Sequence, residues 1–149
     1  MRTVAIFNSN KFNLSESRNY LINPYCYGDD LGKWLIRKLR EIGIETDKEP
    51  AQEDFGWYFD YTVDGIKFCA VIGNIYAEKW FMVVERSTGI IGTIIGGRNR
   101  SVGDSGVRVI HKILSTSEEI NNLMWHRWKD FRNKGIYNFN NGSLLPSAP

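Results

Sequence analysis

Between residues 57 and 72 large apolar side chains recur at every second position on either side of an Asp-Gly pair: Trp57, Phe59, Tyr61 and Val63 before it, Ile66, Phe68, Ala70 and Ile72 after it. A period of two marks a strand with one buried face. Asp64-Gly65 suits a two-residue type I′ turn, whose central residues need positive φ, and so the two runs form a β-hairpin. The turn fixes the register. Val63 faces Ile66, Tyr61 faces Phe68, Phe59 faces Ala70 and Trp57 faces Ile72 on the side expected to be core. The other side carries Tyr58/Val71, Asp60/Cys69 and Thr62/Lys67, a mixed set that suits partial cover or recognition.

Helical spacing appears at Leu31, Trp34, Leu35, Leu39 and Ile42, with Lys33, Arg37, Lys38 and Arg40 on the other faces. Asp29 or Asp30 is the expected N-cap, and Gly43 the stop. Residues 3–7 read as a first strand, and residues 20–22, before Asn23-Pro24, as a second. Residues 44–52 read as a polar connection, and residues 79–86, with Trp80 to Val84, as a third strand extending the hairpin into a meander. Residues 90–95 are apolar but broken by Gly89, Gly92, Gly96 and Gly97, which leaves an edge strand and a loop both open. Residues 107–114 alternate like a strand yet place Val107, Ile110 and Leu114 at helical spacing, and helix is favoured with Asp104 as its cap. Overlapping capping boxes, Ser115 to Glu118 and Thr116 to Glu119, precede Ile120, Leu123, Met124, Arg127, Trp128 and Phe131, so a C-terminal helix is expected over residues 118–133. The fold class that results is α+β: an antiparallel meander packed against two or three helices, in one domain of residues 1–135 with residues 136–149 as a mobile tail.

The chain of 149 residues, 42% hydrophobic and 13% aromatic, can build a core of its own. Its net charge of +2 points to neither nucleic acid nor membrane in bulk, so either partner must be argued from a local patch. Cys26 and Cys69 have no Cys-x-x-Cys spacing, and no run approaches a signal peptide or a membrane span. A cytoplasmic protein without membrane contact is the expectation.

Motifs that resemble catalytic signatures lack the rest of the chemistry. Gly103-Asp104-Ser105-Gly106 resembles the nucleophile segment of chymotrypsin-like serine proteases, but Val107 stands in place of a further Gly and both His111 and His126 follow the serine. Gly92 and Gly97 have the spacing of a phosphate-binding loop, yet Arg98 and Asn99 replace its Lys and Ser/Thr. No cofactor or metal set is expected, since Asp29, Asp30, Glu53, Asp54, Asp60, Glu85 and the histidines form no ligand spacing. Arg98, Arg100, Arg108, Lys112, His126, Arg127, Lys129, Arg132 and Lys134, interleaved with Trp125, Trp128 and Phe131, make the second half locally basic, a pattern that is commonly a solvated helix face and less often a contact for nucleic acid or an acidic protein.

Gly28-Asp-Asp-Leu-Gly-Lys-Trp-Leu35 together with Glu53-Asp-Phe-Gly-Trp57 resembles an uncharacterised family of small bacterial proteins, in which a Gly-Asp-Asp-Leu helix start precedes a Glu-Asp-Trp/Phe-Gly-Trp strand. The resemblance spans residues 20–75. It implies a compact α+β domain and carries no activity, ligand or catalytic residue. For function the expectation is a non-enzymatic protein-binding domain that masks or inhibits a partner, in the manner of an immunity protein or a phage-encoded inhibitor. The binding candidates are Tyr58, Asp60, Thr62, Lys67, Arg98 and Arg100, with Tyr20, Tyr25, Tyr27, Tyr76 and Trp125 as further aromatic anchors. The alternatives are a small metal-dependent hydrolase or nuclease built on Glu53, Asp54 and a histidine, and a nucleic-acid-binding module using the basic second half.

Overall fold

A computed structural model of the chain describes residues 1–12, 14, 26–54, 56–87, 104–134 and 142–147. Strands β4 (Gly56–Val63) and β5 (Ile66–Tyr76) meet at Asp64 and Gly65, whose φ values of 52° and 73° are those the turn requires. The register is the expected one, Val63 to Ile66 through Trp57 to Ile72. From this hairpin the sheet grows outward. Strand β6 (Lys79–Arg86) pairs with β5, β1 (Val4–Asn8) pairs with β6, and all contacts are antiparallel.

The expected polar connection instead supplies two short strands, β2 (Glu45–Thr46) and β3 (Ala51–Glu53), both lying along the outer edge of β4. An uncovered strand edge leaves N–H and C=O groups to satisfy. Asp47 fills the gap between the two strands: its amide donates to the Asp60 carbonyl (3.0 Å), and its Oδ2 accepts from the Asp60 amide (2.8 Å).

The expected helix over residues 118–133 is the main correction. Helix α2 (Asp104–Thr116) runs into the first capping box, where Thr116 Oγ1 donates to the Lys112 carbonyl (2.7 Å) and Ser117 Oγ to that of Ile113 (2.6 Å). Ser and Thr hydroxyls close a helix in this way as readily as they open one. Strand β7 (Asn121–His126) then covers the edge of β1, followed by the short helix α3 (Trp128–Lys134). The pull of that edge outweighs the helical spacing, because pairing there satisfies the backbone and buries Trp125 completely. The sheet has seven strands in the order β2-β4-β5-β6-β1-β7, with β3 also on β4. This is an α+β fold. The favoured helix over residues 107–114 lies within α2, with Asp104 as its first helical residue rather than its cap, 3.3 Å from Arg108.

Helix α1 (Asp29–Glu41) is capped by Gly28, at φ 133°, and not by an aspartate side chain. Asp29 and Asp30 lie inside the first turn, where their charge complements the helix dipole. At the other end Gly43, at φ 82°, closes a Schellman turn in which Ile44 N–H donates to the Leu39 carbonyl and Gly43 N–H to that of Arg40, both at 3.0 Å.

Helices α1 and α2 cover the Trp57, Phe59 and Tyr61 face, with Leu31, Leu35, Leu39, Val107, Ile110 and Leu114 in one core with Phe68, Trp80 and Trp125. Helix α3 packs on the opposite face. There Trp128 and Phe131 are half-buried against a smaller cluster that includes Val4, Ile6, Val71 and Val83. The two motifs that carry the family resemblance touch each other, since Trp57 Nε1 donates to the Cys26 carbonyl (2.9 Å) and the Trp57 ring lies against Gly28. Of the segment expected as a tail, Ser143 exchanges two backbone hydrogen bonds with Trp125 (2.7 and 2.9 Å). The expected strand at residues 20–22, the glycine-rich run at 89–97 and most of that tail lie outside the described residues.

Two substitutions test this packing. Gly56 sits at φ 148° with the Ile72 carbonyl where a Cβ would go, so Gly56→Ala is expected to cost about 3 kcal/mol in chemical denaturation. Tyr61→Phe removes the buried hydrogen bond from the Tyr61 hydroxyl to the Gly106 carbonyl (3.0 Å), which ties α2 to the sheet, and is expected to cost about 1 kcal/mol.

Candidate functional site

The second face of the hairpin gathers the polar candidates into rows across three strands. Thr62 lies beside Lys67; Asp60, Cys69 and Glu85 form the next row; Tyr58, Val71 and Val83 form the third. The rows change from polar to apolar along the strands. Val71 and Val83 belong to the cluster under α3, with Tyr58 packed at its margin, whereas Lys67 is exposed at the hairpin end.

Asp60 organises the polar end. Its Oδ2 is 3.0 Å from Lys67 Nζ and accepts from Ser87 Oγ at 3.1 Å, while its backbone is held by Asp47. Hydrogen bonding to Asp60 and the charge of its carboxylate hold the Lys67 ammonium above its ordinary pKa, so this cation persists at any physiological pH. Burial raises the Tyr58 phenol, with Glu53 adding to the effect, and keeps it a hydrogen-bond donor. Burial, then the Asp60 carboxylate, push the Cys69 thiol far up, and a thiol so protonated is a poor nucleophile. Glu85 is raised to about 7 by burial. The face therefore offers a phenol, a held ion pair and an acid that titrates near neutrality.

Glu85 and Ser87 were not legible as members of this site. The β5–β6 turn places Tyr76 opposite Lys79, and continuing that register would set Arg86 against Cys69. A bulge between Asn74 and Tyr76 shifts the pairing by one residue and brings Glu85 there instead. Asn74 holds the bulge, its Nδ2 donating to the carbonyls of Ala77 (2.9 Å) and Lys79 (3.0 Å). An Asn three residues before a tight turn was the available signal.

Other candidates are dispersed. Arg98, Arg100, Tyr20 and Tyr25 lie outside the described residues. Trp125, expected as an exposed anchor, is fully buried, and its Nε1 donates to His111 Nδ1 at 3.1 Å. Tyr27 packs against the main core, while Tyr76 is exposed with Lys79 over its ring. Glu53 ends β3 and His126 ends β7, with β4, β5, β6 and β1 between them, a separation of about 24 Å at ordinary strand spacing. His111 is on α2 and turned to Trp125, so the acids and histidines of the hydrolase reading are not brought together. Among the described residues there is no group of three His, Cys, Asp or Glu able to hold a metal ion, and no helix long and apolar enough to cross a membrane.

No family model matches the chain, and no similar curated protein or solved structure was found.

The titration of Glu85 gives a signed prediction. Folding raises its pKa from 4.5 to about 7, so the native state binds the proton more tightly. Its contribution to stability is fully present below 4.5 and is lost as pH rises through about 7. Glu85→Gln should match the wild type near pH 4.5 and be more stable at pH 8, by about 1–2 kcal/mol once solvent screening of this part-exposed group is allowed for. His111, lowered by burial, acts in the opposite sense: its contribution is present above 6.5 and declines as pH falls below that value. Thermal unfolding of the wild type, Glu85→Gln and His111→Gln across this pH range separates the two.

Proposed function

We propose that this chain is a non-enzymatic binding domain that masks or inhibits a partner protein, and that it does so through the second face of the β4–β5 hairpin. One observation carries the reading. Tyr58, Asp60, Thr62 and Lys67 share a face of the antiparallel sheet, where the Asp60 carboxylate is bonded by Lys67 and Ser87 and its backbone by Asp47. Side chains already held in place lose little entropy when a partner docks, which makes such a set efficient at recognition. Tyr58 adds an amphipathic ring with a donor that burial keeps protonated. A cytoplasmic setting is part of the proposal, and Cys26 and Cys69 are free thiols.

The hydrolase alternative is less favoured, because Glu53 and Asp54 are at one edge of the sheet and His126 at the other. The experiment is purification of the tagged protein from its native host, beside a Tyr58→Ala/Lys67→Glu variant. The wild type should retain a single stoichiometric protein. The variant, folded by circular dichroism, should lose it by roughly 30-fold or more in affinity, the effect of removing about 2 kcal/mol of central contact. Absence of any stoichiometric partner, or undiminished capture by the variant, contradicts the reading.

A further inference from the structure

A groove of about 510 Å³ runs between α1 and the turn that joins β2 to β3. Both walls are fixed. Arg40 pins the turn, with Nε donating to Thr46 Oγ1 (2.8 Å) and Nη2 to the carbonyls of Thr46 (3.4 Å) and Asp47 (3.3 Å). Further along, Pro50 lies against Gly32 so closely that a Cβ there would stand 2.9 Å from it. The helix and the turn therefore meet without a gap, and the groove above them does not have to form when something enters it.

Its lining is cationic. Lys33, Arg37 and Arg40 follow one another along one stripe of α1, at four- and three-residue intervals, and Lys48 faces them from the turn. The carboxylates of the groove are Glu41 and Glu49, and Glu41 is 3.8 Å from both Arg37 and Lys38. The groove thus carries an excess of two positive charges, as large as the net charge of the whole chain. Buried Ile36 supplies an apolar floor.

We propose that this groove is a second docking surface and that its occupant is an acidic segment of a protein, with carboxylates for Lys33, Arg37 and Lys48 and an aliphatic side chain over Ile36. Charge complementarity selects an anionic partner. The two carboxylates in the lining favour a protein over a nucleic acid, since a peptide can vary its charge from residue to residue while a phosphate backbone brings an unbroken negative run against Glu41 and Glu49. The surface is on the helical layer, opposite the face that α3 packs on, and it meets the hairpin site only through Asp47, which binds the Asp60 backbone.

The test is a titration of the isotopically labelled full chain, followed by amide chemical shifts, with a short synthetic peptide of Glu, Asp and Leu and with an oligothymidylate of equal charge. At about 50 mM salt the peptide should saturably shift amides of residues 33–41 and 46–50, and binding should weaken at about 300 mM salt, where screening is stronger. Lys33→Gln/Arg37→Gln/Lys48→Gln, all at exposed positions, should weaken binding roughly tenfold, while Glu49→Gln should tighten it. The Tyr58→Ala/Lys67→Glu variant should leave these shifts unchanged, which separates failure here from failure of the hairpin reading. No saturable shift at low salt, equal binding by the triple variant, or tighter binding of the oligothymidylate in the same groove overturns the proposal.

Discussion

The register that the Asp64-Gly65 turn imposes on β4 and β5 is the constraint on which the rest of the molecule depends. Side chains alternate across a strand, so a slip of one residue would put Tyr58, Asp60 and Thr62 against the helices and expose Trp57, Phe59 and Tyr61. Every later element inherits this division. The apolar face sets where α1 and α2 lie, with Tyr61 reaching the Gly106 carbonyl and the Phe68 ring lying directly beneath Gly106. The other face sets where α3 can pack and where Asp60, Lys67 and Ser87 meet. From Phe68 to Ile72 β5 is paired on both sides, and there it passes this division of faces to β6, which passes it to β1.

What was legible in the sequence follows from how local each signal is. The hairpin was readable because its turn chemistry and its period of two agree, and α1 because its apolar stripe and Gly43 lie within one segment. The end of the chain was not. Residues 120–131 carry an apolar spacing that suits a helix, yet here they pair with the edge of β1, a partner more than a hundred residues away in sequence. The short strands β2 and β3 have the same origin, since their composition is polar and β4 recruits them through its own unpaired backbone. Gly28 took the capping role from two good capping residues because the chain must turn beside Trp57, where a larger residue at φ 133° would be strained.

The candidate site divides along the same line. Tyr58, Asp60, Thr62 and Lys67 were assignable to one surface once the turn was fixed. Glu85 and Ser87 arrive from β6, whose register depends on a bulge that Asn74 stabilises through side-chain hydrogen bonds. A one-residue irregularity of this kind reverses which side chains face which way, and residue counting alone does not reveal it. The cationic groove has the same non-local character: its helical residues are visible as a polar face, but Lys48 joins them only because Arg40 and Gly32 hold the turn in place.

Native-state amide hydrogen exchange tests most directly whether the hairpin is the unit that holds the rest. Amides of residues 68–72 in β5 should exchange only through global unfolding, with an exchange free energy equal to that from chemical denaturation, and those of β7 should open at lower cost. Exchange of β5 amides through a cheaper local opening, with β1 and β7 still protected, would contradict this: the sheet would then be organised from its other edge, and the hairpin would be a dependent element.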